Sequence, residues 1–231
     1  MKAIGLIGGM SWESTALYYK QINEGIRQRL GGLHSARIAM VSIEFEPMER
    51  LQRENRWSEA GKQLAIAARQ VEDAGADFIV LCTNTMHKVA DAIQAAVDIP
   101  LLHIADATAE AIISAGFNTV GLLGTRFTMQ EDFYRGRLEE KYGLKVLLPA
   151  ADEMTIVHDT IYNELVRGVV REESRKKYLE IIERLRERGA QGVIEGCTEI
   201  VMLVEQKHTN LPLFDTTTIH ARAAVEMALK D

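Results

Sequence analysis

Two short stretches of this sequence bring chemistry-bearing side chains to the ends of apolar runs. "FIVLCTNTMH" (78–87) ends in Cys82, Thr83, Asn84, Thr85 and His87, and "GVIEGCTE" (192–199) ends in Cys197, Thr198 and Glu199. A cysteine at such a place can act as a base or nucleophile once ionised. It can equally be a small buried hydrophobe. Cys82 and Cys197 lie 115 positions apart, with no Cys-x-x-Cys and no His-x-x-x-His pair in the chain, so no metal site is expected. A disulfide is not expected in a reducing compartment.

The elements that must position these groups alternate along the chain. Strands are expected at 3–8, 36–45, 76–82, 99–104, 118–124, 144–149, 191–196 and 211–215. Between them lie helical patterns such as 57–75 and 173–189, each closed by a glycine. Near-continuous apolar strands alternating with amphipathic helices indicate an α/β fold with parallel sheets covered on both faces.

The chain also repeats itself. "IGLIGG" (4–9) matches "VGLLGT" (120–125), "GADFIVLCTNT" (75–85) matches "GAQGVIEGCTE" (189–199), and "IPLLH" (99–103) matches "LPLFD" (211–215). Three matches in order, at offsets of 112 to 116, argue for two similar lobes. Lobe one is expected over 1–104 and lobe two over 105–215; the repeat leaves the last helix (216–231) open to lobe one. The alignment sets Cys197 opposite Thr83, Thr198 opposite Asn84 and Glu199 opposite Thr85. Open α/β sheets bind ligands beyond the carboxyl ends of their strands, which places a site in the cleft between the lobes. Cys82, one residue before Thr83, points the other way on a strand and reads as core.

Bulk properties narrow the function classes. The chain has 231 residues, is 47% hydrophobic and carries a net charge of −6, with no basic stripe of the kind that binds nucleic acid. No apolar run approaches a membrane span, and the start does not form a signal-peptide core, so a cytoplasmic protein is expected, with no nucleic-acid or membrane partner.

The motifs "GLIGGMSWEST" (5–15), "CTNTMH" (82–87) and "EGCTEI" (195–200) resemble the aspartate/glutamate racemase superfamily over essentially the whole chain. The resemblance implies two α/β lobes related by a pseudo-twofold axis, a homodimer and a small-molecule amino-acid substrate, with no cofactor and no metal. It also implies one catalytic residue per lobe, on opposite faces of the substrate α-carbon. Removing an α-proton without a cofactor requires a pre-positioned base and stabilisation of the developing enediolate. A thiolate favoured by a helix start would supply that base, and the helix N–H groups would hold the substrate carboxylate.

Where the family has Cys-Asn-Thr, this sequence has Thr83-Asn84-Thr85. The pattern is similar to the threonine-substituted branch specific for L-aspartate and L-glutamate. By that resemblance Cys197 deprotonates the L-isomer, and Thr83 stands on the other face as a hydrogen-bond donor or proton relay. Met10, Gln52, Asn84, Thr85, Thr198 and Glu199 become substrate-contacting candidates, and Arg167 in "YNELVRG" (162–168) a partner for the side-chain carboxylate. "GGMSWES" (8–14) lacks the ending of a P-loop. His87 and His103 read as structural, and the charged run 172–188 as a solvated helix face. Two other readings stay open: a single-cysteine decarboxylase of the same superfamily, and a non-catalytic amino-acid binder.

Overall fold

A computed structural model describes residues 1–230. The chain divides into two compact units, one of Met1–Ile104 with the chain from His220 onward, the other of Ala105–Ile219.

The first unit contains β1 (Ile4–Gly8), α1 (Trp12–Leu30), β2 (Ile38–Ser42), α2 (Phe45–Arg53), α3 (Trp57–Asp73), β3 (Phe78–Leu81), a 3-10 turn (Thr85–Val89), α4 (Ala90–Gln94) and β4 (Leu101–Leu102). Its sheet is parallel throughout, in the order β2-β1-β3-β4, with Ile7 beside Leu81 and Ile79 beside Leu101. Strand alternation divides the core into two layers. Ile7, Ile79 and Leu81 pack with Met48, Leu51, Leu64, Ala68 and Val71 of α2 and α3. Ile4, Leu6, Phe78, Val80 and Cys82 face the other way, onto Tyr18, Ile22 and Ile26 of α1 and onto Ala221, Ala224 and Val225. Those last three lie on the closing helix α11 (Thr216–Leu229), which runs from one unit into the other.

The second unit repeats the plan. It contains α5 (Ile104–Ser114), β5 (Thr119–Gly124), α6 (Arg126–Gln130), α7 (Arg135–Tyr142), β6 (Lys145–Leu147), α8 (Ala151–Asn163), a 3-10 turn (Leu165–Arg167), α9 (Glu172–Glu187), β7 (Val193–Gly196), α10 (Ile200–Leu203), a further 3-10 turn (Gln206–His208) and β8 (Leu213–Asp215). Its sheet is also parallel, in the order β6-β5-β7-β8, so β5 through β8 stand where β1 through β4 stand in the first unit. Leu123 lies beside Glu195, the pairing that corresponds to Ile7 beside Leu81.

All eight expected strands form. The one expected over 36–45 stops at Ser42 because Phe45 begins α2, and the one expected over 99–104 contracts to two residues. The helices ending at Gly75 and Gly189 close identically. Each glycine has positive φ, and the next amide reaches back five residues, Ala76 N–H to Val71 O at 3.1 Å and Ala190 N–H to Leu185 O at 3.0 Å.

Candidate active site

In the second unit, β7 delivers Cys197 at its carboxyl end, and the chain turns at once. Ile200 N–H donates to Cys197 O at 3.1 Å and Met202 N–H to Glu199 O at 3.2 Å. The turn folds Glu199 back beneath the thiol, and Cys197 Sγ donates to Glu199 Oε2 at 3.0 Å. Cys197 is half-buried. Burial, and then the Glu199 charge and hydrogen bond, push its thiol well above the ordinary range, while the Glu199 backbone bond pulls it down. Cys197 and Glu199 thus form a hydrogen-bonded pair within one turn. α10 has four residues and thus few aligned peptides, and the hydrogen-bond partner of the thiol is Glu199.

Neighbouring elements hold this turn. Arg175 Nε donates to Leu203 O at 2.7 Å, at the end of α10. The Thr217 hydroxyl donates to the buried Thr198 Oγ1 at 3.1 Å. The 3-10 turn carrying Arg167 packs against α8 and α10. Arg167 is exposed, and its guanidinium makes no ion pair among the described residues. Tyr178 of α9 is buried, donates to Val157 O at 2.8 Å, and has its phenol raised by burial and by the nearby Cys197.

In the first unit, β1 ends in a tightly packed loop. Gly9 has φ of 89°, and a Cβ there would lie 2.0 Å from Ile43 O, so only glycine fits. Gly9 N–H donates to Thr15 Oγ1 at 2.8 Å, and Ser11 caps α1 by accepting from Ser14 N–H at 3.3 Å. Thr125 caps α6 in the second unit in the same way, accepting from Thr128 N–H at 3.3 Å. The Met10 side chain is buried in the apolar cluster that also holds Met86.

Cys82 is fully buried in the layer against α1 and α11, and burial alone pushes its thiol up. Thr83 follows it, half-buried, and begins the turn: its N–H donates to Leu81 O at 2.9 Å. Asn84 and Thr85 are buried in the same turn, which continues as the 3-10 turn and then α4. Gln52, also buried, donates to Met86 Sδ at 3.1 Å.

The structure thus gathers the expected residues into two groups. Cys197, Thr198 and Glu199 share one turn of the second unit, with the Arg167 turn packed on the helix that follows. Thr83, Asn84 and Thr85 share one turn of the first unit, with Gln52 and Met10 packed around Met86. Arg53, beside Gln52, points to solvent and pairs with Glu49 at 2.9 Å. Sequence reasoning missed Tyr178, though its spacing with Ile181, Ile182 and Leu185 marks the apolar face of α9. It also missed Glu195, a charged residue inside an apolar run. Glu195 is 3% exposed, and burial, then Asp215, raise its carboxyl to about 8.

The chain as a whole is similar to several known proteins. A structure from Yersinia pestis assigned to the Asp/Glu racemases is 52% identical over the full length of both chains, with a TM-score of 0.95. An aspartate racemase homologue from Pyrococcus horikoshii OT3 is 37% identical over the full length of both chains, with a TM-score of 0.86. The broad specificity amino-acid racemase RacX of Bacillus subtilis is 23% identical over 234 residues, covering 98% of each chain. The Asp/Glu/hydantoin racemase family matches residues 7–224, so this chain belongs to that family and is an isomerase of the racemase class.

Proposed function

We propose that the protein racemises L-aspartate and L-glutamate without a cofactor, with Cys197 as the base for the L-isomer and Thr83 serving the other face of the α-carbon. The observation that carries this reading is the Cys197–Glu199 couple. A thiol bonded to a carboxylate can lose its proton to that carboxylate and become a base at the moment substrate excludes water. The thiolate then takes the α-proton, and the carbon–hydrogen electrons move into the substrate carboxylate as an enediolate. Backbone N–H groups of the two turns and the amide of Asn84 are donors suited to that charge.

Reprotonation from the far face completes inversion. Thr83 has no charge to lose near neutral pH, so its hydroxyl passes on a solvent proton rather than acting as a base. The position of Glu199 is taken in the first turn by Thr85, so that turn lacks both the thiol and the proton acceptor. The two faces are therefore chemically unlike, and the L-isomer exchanges its α-proton faster than it inverts. Arg167 supplies the cation for the second carboxylate, which favours acidic amino acids over apolar malonates.

Incubation with L-glutamate or L-aspartate in D₂O tests the reading. α-Deuteration that outpaces formation of the D-isomer is expected. Binding without deuteration would mark an amino-acid binder, and carbon dioxide release from a malonate would mark a decarboxylase.

A further inference from the structure

The first unit buries three histidine rings beside the Thr83 turn. His87 and His103 have ring centroids 4.5 Å apart, and His87 and His220 5.9 Å. All three are at most 6% exposed. Their hydrogen bonds fix two of the tautomers. Ile104 N–H can only donate, and it reaches His87 Nε2 at 3.2 Å, so that nitrogen carries no hydrogen. Thr83 O can only accept, and His87 Nδ1 lies 2.8 Å from it, so the hydrogen is on Nδ1. By the same logic His220 Nε2–H donates to Leu102 O at 2.8 Å, and His220 Nδ1 accepts from the Tyr18 hydroxyl at 2.8 Å.

The passage from β4 into α5 is therefore gripped at two points, Leu102 O by His220 and the Ile104 N–H that opens α5 by His87. The Thr83 peptide is gripped at both of its ends, the N–H by Leu81 O and the carbonyl by His87. The ring at 87 links the first amide of α5 to the residue that presents a hydroxyl.

We propose that His87 is a positioning residue: its imidazole ties the Thr83 carbonyl to the start of α5 and so sets where the Thr83 hydroxyl points. The inference rests on Thr83 serving the far face of the substrate. It has a consequence that a merely structural histidine lacks. Cys197 can remove and return a proton on its own face with Thr83 displaced, whereas inversion cannot proceed without Thr83. Loss of the His87–Thr83 bond should change the ratio of inversion to exchange, not the two rates together.

Two substitutions separate the two bonds of the ring. Asparagine places an amide N–H near the position of Nδ1 and keeps a donor for Thr83 O. Glutamine reaches the position of Nε2, keeps a partner for Ile104 N–H and loses the Thr83 donor. α-Deuteration and D-isomer formation from L-glutamate in D₂O would be followed in the full-length wild type, His87→Gln and His87→Asn, with thermal melts of each. His87→Gln should lower inversion relative to exchange by about tenfold, and His87→Asn should return the ratio to within about threefold of wild type. In the wild type, nitrogen NMR of His87 should show hydrogen on Nδ1, a readout that needs no variant to fold. An unchanged ratio in folded His87→Gln, or a ring with hydrogen on Nε2, would overturn the inference while leaving the reaction intact. No deuteration by the wild type would instead overturn the proposed reaction, and this inference with it.

Discussion

Cys197 Sγ lies 3.0 Å from Glu199 Oε2, two residues along the same turn, and the corresponding pair in the first unit is Thr83 and Thr85. One turn thus holds an acid–base couple and the other holds two hydroxyls. The asymmetry rests on the residues of two structurally equivalent strand ends, since β3 and β7 occupy the same place in sheets of the same order.

Glu199→Gln should separate the two effects of that carboxylate. Removing its charge takes away part of what holds the Cys197 thiol up, so thiolate should form at lower pH than in the wild type. The proton acceptor is lost as well, and general-base catalysis is commonly worth about 10²–10⁴-fold. The expected result is faster alkylation of Cys197 at neutral pH together with much slower α-deuteration. Slower alkylation in the variant would contradict the assigned cause of the shift.

Cys82→Ala should behave as a core truncation. It removes one buried atom from the layer against α1 and α11, at a cost of about 1 kcal/mol. Chemical denaturation should show that loss with α-deuteration retained. A folded but inactive variant would mean that Cys82, not its neighbour, faces substrate.

Much of this was legible beforehand. Strand alternation already separated Cys82 from Thr83, and the internal repeat set Cys197 opposite Thr83, because a register slip of one residue reverses which face a side chain meets. The thiol's state was not legible. Helix lengths of four and five residues after the two motifs depend on tertiary packing, and a carboxylate two residues ahead folds back only because the turn is tight. Nor did the sequence reveal the His87 bridge, since its partners include Ile104, 17 residues away, and the ring's tautomer is set by contacts rather than residue type.

Arg167→Leu should weaken acidic amino acids selectively. A charge-assisted hydrogen bond contributes about 1.5–3 kcal/mol, which corresponds to roughly 10- to 150-fold in affinity. Steady-state kinetics should show KM rising for both aspartate and glutamate with the fold unchanged. An unaltered KM for both would remove Arg167 from the site.

Glu195 should make stability fall with rising pH. It is 3% exposed, its Oε1 accepts no hydrogen bond, and burial and then Asp215 raise its carboxyl from 4.5 to about 8. Asp215, whose proximity helps raise Glu195, accepts from the amides of Thr217 and Thr218 at 2.9 and 3.2 Å. The native state keeps the proton between pH 4.5 and about 8 while the unfolded chain releases it. Stability is therefore full below the unfolded value and is lost as pH rises through that window, by roughly 5 kcal/mol. Glu195→Gln should flatten this slope and raise the melting temperature more at pH 8 than at pH 5. Equal shifts at both values would show that Glu195 is already ionised in the folded protein.

The most direct measurement is α-deuteration of L-glutamate and L-aspartate in D₂O by the wild type and by Cys197→Ala, with binding followed by calorimetry. The wild type should deuterate the L-isomer faster than it forms the D-isomer, and Cys197→Ala should still bind but deuterate neither substrate. Deuteration retained in a folded Cys197→Ala protein would contradict the account, because the α-proton would then be leaving to some other base.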